Sequence, residues 1–398
     1  MALLAACGAR TGLGTRDSGA PRDAAGIDAG PARDAGPGVD AGSTPSRCEV
    51  PSTSTVVTSD GAPGFVFSLA TLPSSEPGGP SYVLAAAHGW PPDERATLHL
   101  LDDHLAASGT FGTGGDWGTA RFDAVAGEIS ATFAGGDGSL ALERYAVGAG
   151  GLARIASEVV CDRGCDPGWD GPAVEAEGRA VVAGELGGGA STMFIRPRAG
   201  GPPPTTVAGI DLRLAEVVAL DGELVVVGNR EDALGIAHVT WDGVVTSAPR
   251  TLMVPLVSAR FGAVRRGARD VLVGAAVTGR GLVLLDLRDD AIVGDIVIDP
   301  DVAVPNNVAI AVAGDLAAVA WGEQFSRGRV GAHLAVVDLR DGTLFMPSTL
   351  VSGDSRDSAS YTIWAAVAPH ADGFAVVWGG WEPHSAYAVY GKVVRCAL

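Results

Sequence analysis

The sequence predicts an all-β chain: one large β-propeller of four-stranded blades, preceded by a disordered tether. Short Val-rich runs bounded by Gly, Asp or Pro recur from residue 48 onward, among them 223–228, 270–274, 281–287, 334–339 and 373–378. Runs of this length, apolar on both faces, are the pattern of strands covered on two sides, and no long stretch carries a clean helical period. The runs also repeat as a unit: strand, Gly- or Asp-containing turn, strand, Gly, variable loop, third strand, Asp and a further turn. Residues 217–243 and 308–342 show the unit twice.

Composition sets the bounds. The chain has 398 residues, 47% hydrophobic and 19% charged, enough to bury a sizeable core. Its 57 Gly and 24 Pro punctuate short strands and turns. A formal net charge of −18 argues against nucleic acid as a partner and offers no basic anchor for an anionic membrane surface.

The first element is the N-terminus, where Leu4-Ala5-Ala6-Cys7 resembles the bacterial lipobox: an aliphatic residue, two small residues, then Cys. The resemblance implies a diacylglycerol group on the Cys7 thiol, cleavage before Cys7 and acylation of the new amine. Several acyl chains at ~0.8 kcal/mol per buried CH₂ would hold the protein firmly on a membrane. Only Met1 to Leu3 stand where a basic and then apolar segment ordinarily precedes a lipobox, so the signal segment is expected to be longer than this part. Gly8 after the Cys implies the outer membrane in that family. Residues 1–7 are thus the remnant of a lipoprotein signal peptide, and the expected address is extracytoplasmic, on the periplasmic or surface side.

Residues 8–47 form the second element. They hold no aromatic residue and no apolar period, and Asp17, Asp23, Asp28, Asp34 and Asp40 alternate with Arg10, Arg16, Arg22, Arg33 and Arg47. Such a segment cannot bury enough apolar area to offset chain entropy. A flexible coil of this length would have an end-to-end distance of roughly 35 Å, so it reads as a tether that lifts a domain clear of lipid headgroups.

Residues 48–398 form the third element, the propeller. Central turns fall near Asp60-Gly61, Ala126-Gly127, Glu177-Gly178, Asp221-Gly222, Gly267-Ala268, Gly314-Asp315 and Asp372-Gly373. Seven units of about fifty residues match propeller blades, and six or eight also fit the spacing. One blade cannot bury its own faces, so blades must stack in a ring. Residues 261–285 resemble a single FG-GAP repeat of integrin-type propellers, but Arg265, Arg266 and Arg269 replace its calcium-loop acids. Other units resemble WD-repeat or YVTN-type bacterial blades without their diagnostic dipeptides. These resemblances imply architecture only. The apolar run 306–322 is split by Gly314-Asp315 into two strand lengths, a hairpin rather than a membrane span. Aromatics at 6% and strands apolar on both faces also argue against an outer-membrane barrel.

Five cysteines occur. With Cys7 lipidated, four remain for an oxidising compartment. Cys48 opens the domain and Cys396 lies near its end; in a ring the two meet in the closing blade, which predicts a Cys48–Cys396 disulfide. Cys161 and Cys165 share a Gly/Asp/Pro loop and predict a local Cys161–Cys165 disulfide. The alternative, a metal site, needs further His or Cys ligands, and none lies nearby in sequence.

No specific catalytic constellation is present: no nucleophile elbow, no zinc-protease helix, no P-loop, no EF-hand. Ser352-Gly353-Asp354 begins like a sialidase Asp-box but lacks its downstream Gly and Trp. No cofactor, metal or catalytic residue is assigned. His99 and His104 flank Asp102-Asp103 and on a strand would point to opposite faces. The candidate ligand contacts are Trp378, Trp381, His384 and Tyr387, in the densest aromatic segment, and the loop residues Trp90, after His88-Gly89, and Trp117, after Asp116. Flat aromatic faces suit a sugar or a peptide. Glu382 could pair with Asp354 or Asp357 for acid–base work, which requires convergence in space. The sequence therefore favours a monomeric, lipid-anchored, non-enzymatic module binding protein or glycan. Its rivals are an exported polysaccharide hydrolase or lyase and an outer-membrane structural or assembly factor.

Overall fold

Strand Leu316–Glu323 shows how the sequence makes this architecture. Alternate residues of a strand point to opposite faces. Leu316, Ala318 and Ala320 enter one hydrophobic cluster, and Ala317, Val319 and Trp321 enter another. Its neighbour Gly331–Asp338 divides the same way, with Leu334 and Val336 on one side and Ala335 and Val337 on the other. A sheet built from such strands must be covered twice, and each cluster joins one sheet to the next.

The computed structural model describes residues 47–58, 64–72, 79–88, 95–112, 117–123, 128–134, 139–148, 151–161, 165–166, 173–176, 179–186, 191–197, 205–323, 331–352, 363–380 and 388–397. They form antiparallel strands only, and among them no helix is long and apolar enough to cross a membrane. The strands fall into six hydrogen-bonded sheets. Sheet 1 runs Gly64–Thr71, Tyr82–His88, Arg95–Leu101, Ala107–Gly112; sheet 2 runs Trp117–Asp123, Glu128–Ala134, Leu140–Gly148, Gly151–Cys161. Sheet 3 is built on Arg179–Leu186, Ser191–Pro197 and Thr205–Ile210, with Ala173–Ala176 and the short Cys165–Asp166 both paired to Arg179–Leu186. Sheet 4 has seven strands between residues 213 and 299, and its two halves share the long strand Val245–Arg265. Sheet 5 runs Pro305–Ala313, Leu316–Glu323, Gly331–Asp338, Thr343–Leu350.

The last sheet is made from both ends of the domain. Ile363–His370, Gly373–Gly380 and Val389–Cys396 are joined by Cys48–Glu49 and Thr55–Thr58, both paired to Val389–Cys396. Cys48 and Cys396 are register partners, and the expected disulfide joins them across 348 residues of sequence.

One strand of each sheet, and in sheet 4 also the distal part of Val245–Arg265, lies innermost. Gly64–Thr71 neighbours Trp117–Asp123, and the series continues through Ala173–Ala176, Arg213–Leu220, Val245–Arg265, Pro305–Ala313 and Ile363–His370 back to Gly64–Thr71. This closes a ring among the described residues. Close approach between inner strands dictates glycine at one point: a Cβ on Gly262 would stand 2.4 Å from the carbonyl oxygen of Val308.

One expected turn has a different role. Asp60-Gly61 falls between Thr55–Thr58 and Gly64–Thr71, strands of different sheets, so it does not join two strands of one unit. The first two strands of sheet 1 are instead connected across residues 72–81. Each of the other central turns falls between two consecutive strands that pair with each other; Ala126-Gly127 and Glu177-Gly178, like Asp60-Gly61, lie outside the described residues.

Candidate functional site: the central channel and its rim

The inner strands surround a cavity of about 640 Å³, lined by 67–71, 216–221, 262–265, 307–312 and 366–369. The lining mixes small side chains, among them Ala219, Ala263, Ala309 and Ala366, with larger aliphatic and polar ones. Each of these inner strands, counting only the distal part of Val245–Arg265, has a hydrogen-bonded strand on one side only, so main-chain donors and acceptors face the channel. Such a lumen suits water or a polar chain.

Toward the start of the inner strands an aromatic and cationic group is packed between them. Trp364 is 2% exposed; Phe67 meets it edge-on at 6.1 Å, and the Arg260 guanidinium lies 5.2 Å from its ring centroid. Beside them, the Asn307 amide donates to the Ala365 carbonyl at 2.6 Å and accepts from the Ala365 N–H at 3.1 Å. At the opposite end Arg265 pairs with Asp221 at 2.6 Å.

Two further groups flank the channel. A smaller cavity of about 330 Å³ opens between sheet 5 and the closing sheet, over Phe345 and Phe374, with Asp315, Arg340 and His370 in its lining. The Arg47 guanidinium covers Phe345 at 5.2 Å. Arg340 grips Asp338 through Nη2 at 2.6 Å and Nε at 2.9 Å, and its hydrogen bonds hold the Asp338 carboxyl down to about 2. Inside sheet 5, His333 stacks on Trp321 at 5.3 Å, and its Nε2 stands 3.7 Å from the buried Glu323 carboxylate. Among the described residues no three His, Cys, Asp or Glu side chains converge as a metal site would require.

No protein-family model and no curated protein sequence matches the chain. Solved structures do. The WD40 domain of Toxoplasma gondii coronin has a TM-score of 0.53 at 9% identity, over 88% of this chain and 86% of that one. The β-propeller domain of the Trilobed protease from Pyrococcus furiosus has a TM-score of 0.50 at 11% identity, over 83% and 95%. The chain is a β-propeller. It spans about half the length of a prolyl endopeptidase structure that it also matches, covering 79% of this chain and 47% of that one at 12% identity and a TM-score of 0.45. Identities this low speak to the fold alone. The Pyrococcus domain is described as having an open velcro topology; this propeller pairs its N-terminal strands with its last one.

The propeller places the sequence-predicted residues unevenly. Trp378 is 5% exposed, stacked 6.3 Å from Tyr390 with the Lys392 ammonium 6.0 Å from its ring centroid, so it packs inside the closing sheet's face. Trp90, Trp381, Glu382, His384, Tyr387, Asp354, Asp357 and Cys7 lie outside the described residues, as do the side chains of Trp117, His88, Cys161 and Cys165. His99 is buried between the hydroxyls of Thr97 at 2.8 Å and Thr110 at 3.0 Å. His104 is not on that strand: it sits exposed in a turn where Asp102 accepts from the N–H groups of His104 and Ala106, both at 2.8 Å. The Phe67–Trp364–Arg260 group was not singled out from sequence. Its members stand on three different sheets, and no local spacing connects them.

Proposed function

We propose that this propeller, with seven blades, is an exported, monomeric binding or scaffold module for a protein or a glycan. Its chain would be anchored to the outer membrane through a lipidated Cys7 and held off the surface by residues 8–47. The observation that carries the reading is the Cys48–Cys396 bridge across the closing sheet. Disulfides persist in oxidising compartments, and a ring locked this way keeps loops and channel mouth fixed for recognition. The open lumen of about 640 Å³, with main-chain groups along its wall, adds a space able to take a sugar ring or an extended chain. The blade count rests on the five smaller sheets together with the two halves of sheet 4.

The test combines two measurements on protein isolated from membranes. Mass spectrometry of the N-terminal peptide should find diacylglycerol and a third acyl chain on Cys7. Glycan-array binding and envelope pull-down should then give saturable binding to one ligand class with no product formed. Release of new reducing ends from a polysaccharide would overturn the non-enzymatic reading, and an unmodified Cys7 would overturn the anchor.

A further inference from the structure

Sheet 4 doubles back on itself along Val245–Arg265. The two faces that meet there pack around Val225, Ile236, Val273 and Leu285. One polar contact also crosses between the halves. His238, on Ala233–Thr240 in the first half, bonds through Nε2 to Asp290, in the turn between Gly281–Arg288 and Ala291–Asp299 of the second. Its Nδ1 lies 3.1 Å from the carboxylate of Glu223 on the adjacent strand Glu223–Arg230. The three side chains are 15%, 19% and 37% exposed for His238, Asp290 and Glu223.

The chemistry of this triad is one-sided. A carboxylate accepts hydrogen bonds and does not donate them, and a neutral imidazole donates from one nitrogen only. Two carboxylates on the two ring nitrogens are therefore both satisfied only by an imidazolium. We propose that His238 is a pH-sensitive clasp between the two halves of sheet 4, closed when its ring is doubly protonated and half-released when one proton leaves to solvent. In the neutral ring one nitrogen turns a lone pair toward a carboxylate, and a net negative charge remains between the two packed faces.

Among the described residues Glu223 and Asp290 pair with His238 and with no Arg or Lys; Arg250, the register partner of Ile236, is the cation on the facing strand. Asp289, beside Asp290, faces Arg269 at 3.5 Å; Asp221, near Glu223, is paired with Arg265; Asp242 lies in the turn beyond His238. The strand Val245–Arg265 sets Ser247 opposite His238. Burial by itself pushes the imidazole down, but hydrogen bonds to Asp290 and Glu223, reinforced by their charges, push it up further, to a net value above the usual 6.5. A raised value fixes the sign. The clasp's contribution is full below the unfolded histidine's pKa near 6.5 and fades as pH rises through the higher folded value.

Thermal unfolding of the full chain from about pH 6 to about pH 9 tests this, with His238→Gln, Glu223→Gln and Asp290→Asn alongside the unaltered protein. The unaltered chain should lose about 1–3 °C more than His238→Gln over that range. The His238 ring, followed by NMR, should titrate above 6.5, and lower in Glu223→Gln and Asp290→Asn than in the unaltered chain. Parallel melting profiles for the unaltered chain and His238→Gln would overturn the proposal. So would a ring titration that neither carboxylate variant moves, a readout that survives even where His238→Gln does not fold.

Discussion

Asn307 shows what one buried polar side chain does in this ring. It is 7% exposed, and both ends of its amide are committed to the main chain of Ala365 on the next inner strand. Removing one partner of a buried hydrogen bond strands the other. Asn307→Ala should therefore cost about 2–4 kcal/mol, read as a lower urea midpoint with an unchanged slope. Asn307→Asp, which keeps an acceptor for the Ala365 N–H but cannot donate to its carbonyl, should fall between. Nothing in the sequence announced this role. The partner lies 58 residues away, and a polar residue near the start of an apolar strand reads locally as a boundary. His99, which the sequence placed on a strand with poor geometry for a metal, is a satisfied core histidine: the hydroxyls that hold it belong to a same-face and a cross-strand neighbour.

Elements were far more legible than residues. The runs at 223–228, 270–274 and 281–287 became the strands Glu223–Arg230, Asp270–Val277 and Gly281–Arg288, because period, length and flanking turn residues all pointed the same way. The phase of the first unit was not legible. Asp60-Gly61 has the chemistry of a hairpin turn, and only non-local pairing reveals that the strand before it belongs to the closing sheet. The cue that did survive was the spacing of Cys48 and Cys396 at opposite ends of the domain. Replacing both with Ser should cost on the order of 5 kcal/mol as an upper figure, since the bridge closes 348 positions. It should also open new protease cleavage between Glu49 and Thr55, where only the short pairings to Val389–Cys396 then hold the chain. An unchanged digestion pattern would mean that strand pairing alone secures the closure.

At the scale of the molecule, strands apolar on both faces together with the repeated unit pointed to stacked sheets, and a ring is one way to cover every face. The channel was not readable, because its wall is assembled from inner strands drawn from the whole length of the domain. Electrostatics has a smaller share in holding the ring. Arg269–Asp289, Arg288–Asp270 and Arg395–Asp372 are exposed pairs near strand ends and turns, where ion pairs are weak and screened by salt. Raising salt to about 1 M should move the unfolding midpoint little, while adding reductant should move it strongly. The reverse ranking in a denaturation series would assign the cohesion to ion pairs rather than to the inter-sheet cores and the bridge.

Pairing both N-terminal strands with Val389–Cys396 also sets an order of events. Cys48–Glu49 and Thr55–Thr58 leave any pore or ribosome before the other described strands, yet their hydrogen-bonding partner is the last of them. Until then the growing array keeps an open edge at each end, exposed to slow non-local search and to pairing with the wrong chain. Completion is thus an all-or-none event. A chain that stops short of residue 396 lacks both the thiol that Cys48 pairs with and the end of the strand that seals the sheet, so only a finished chain can shut the ring.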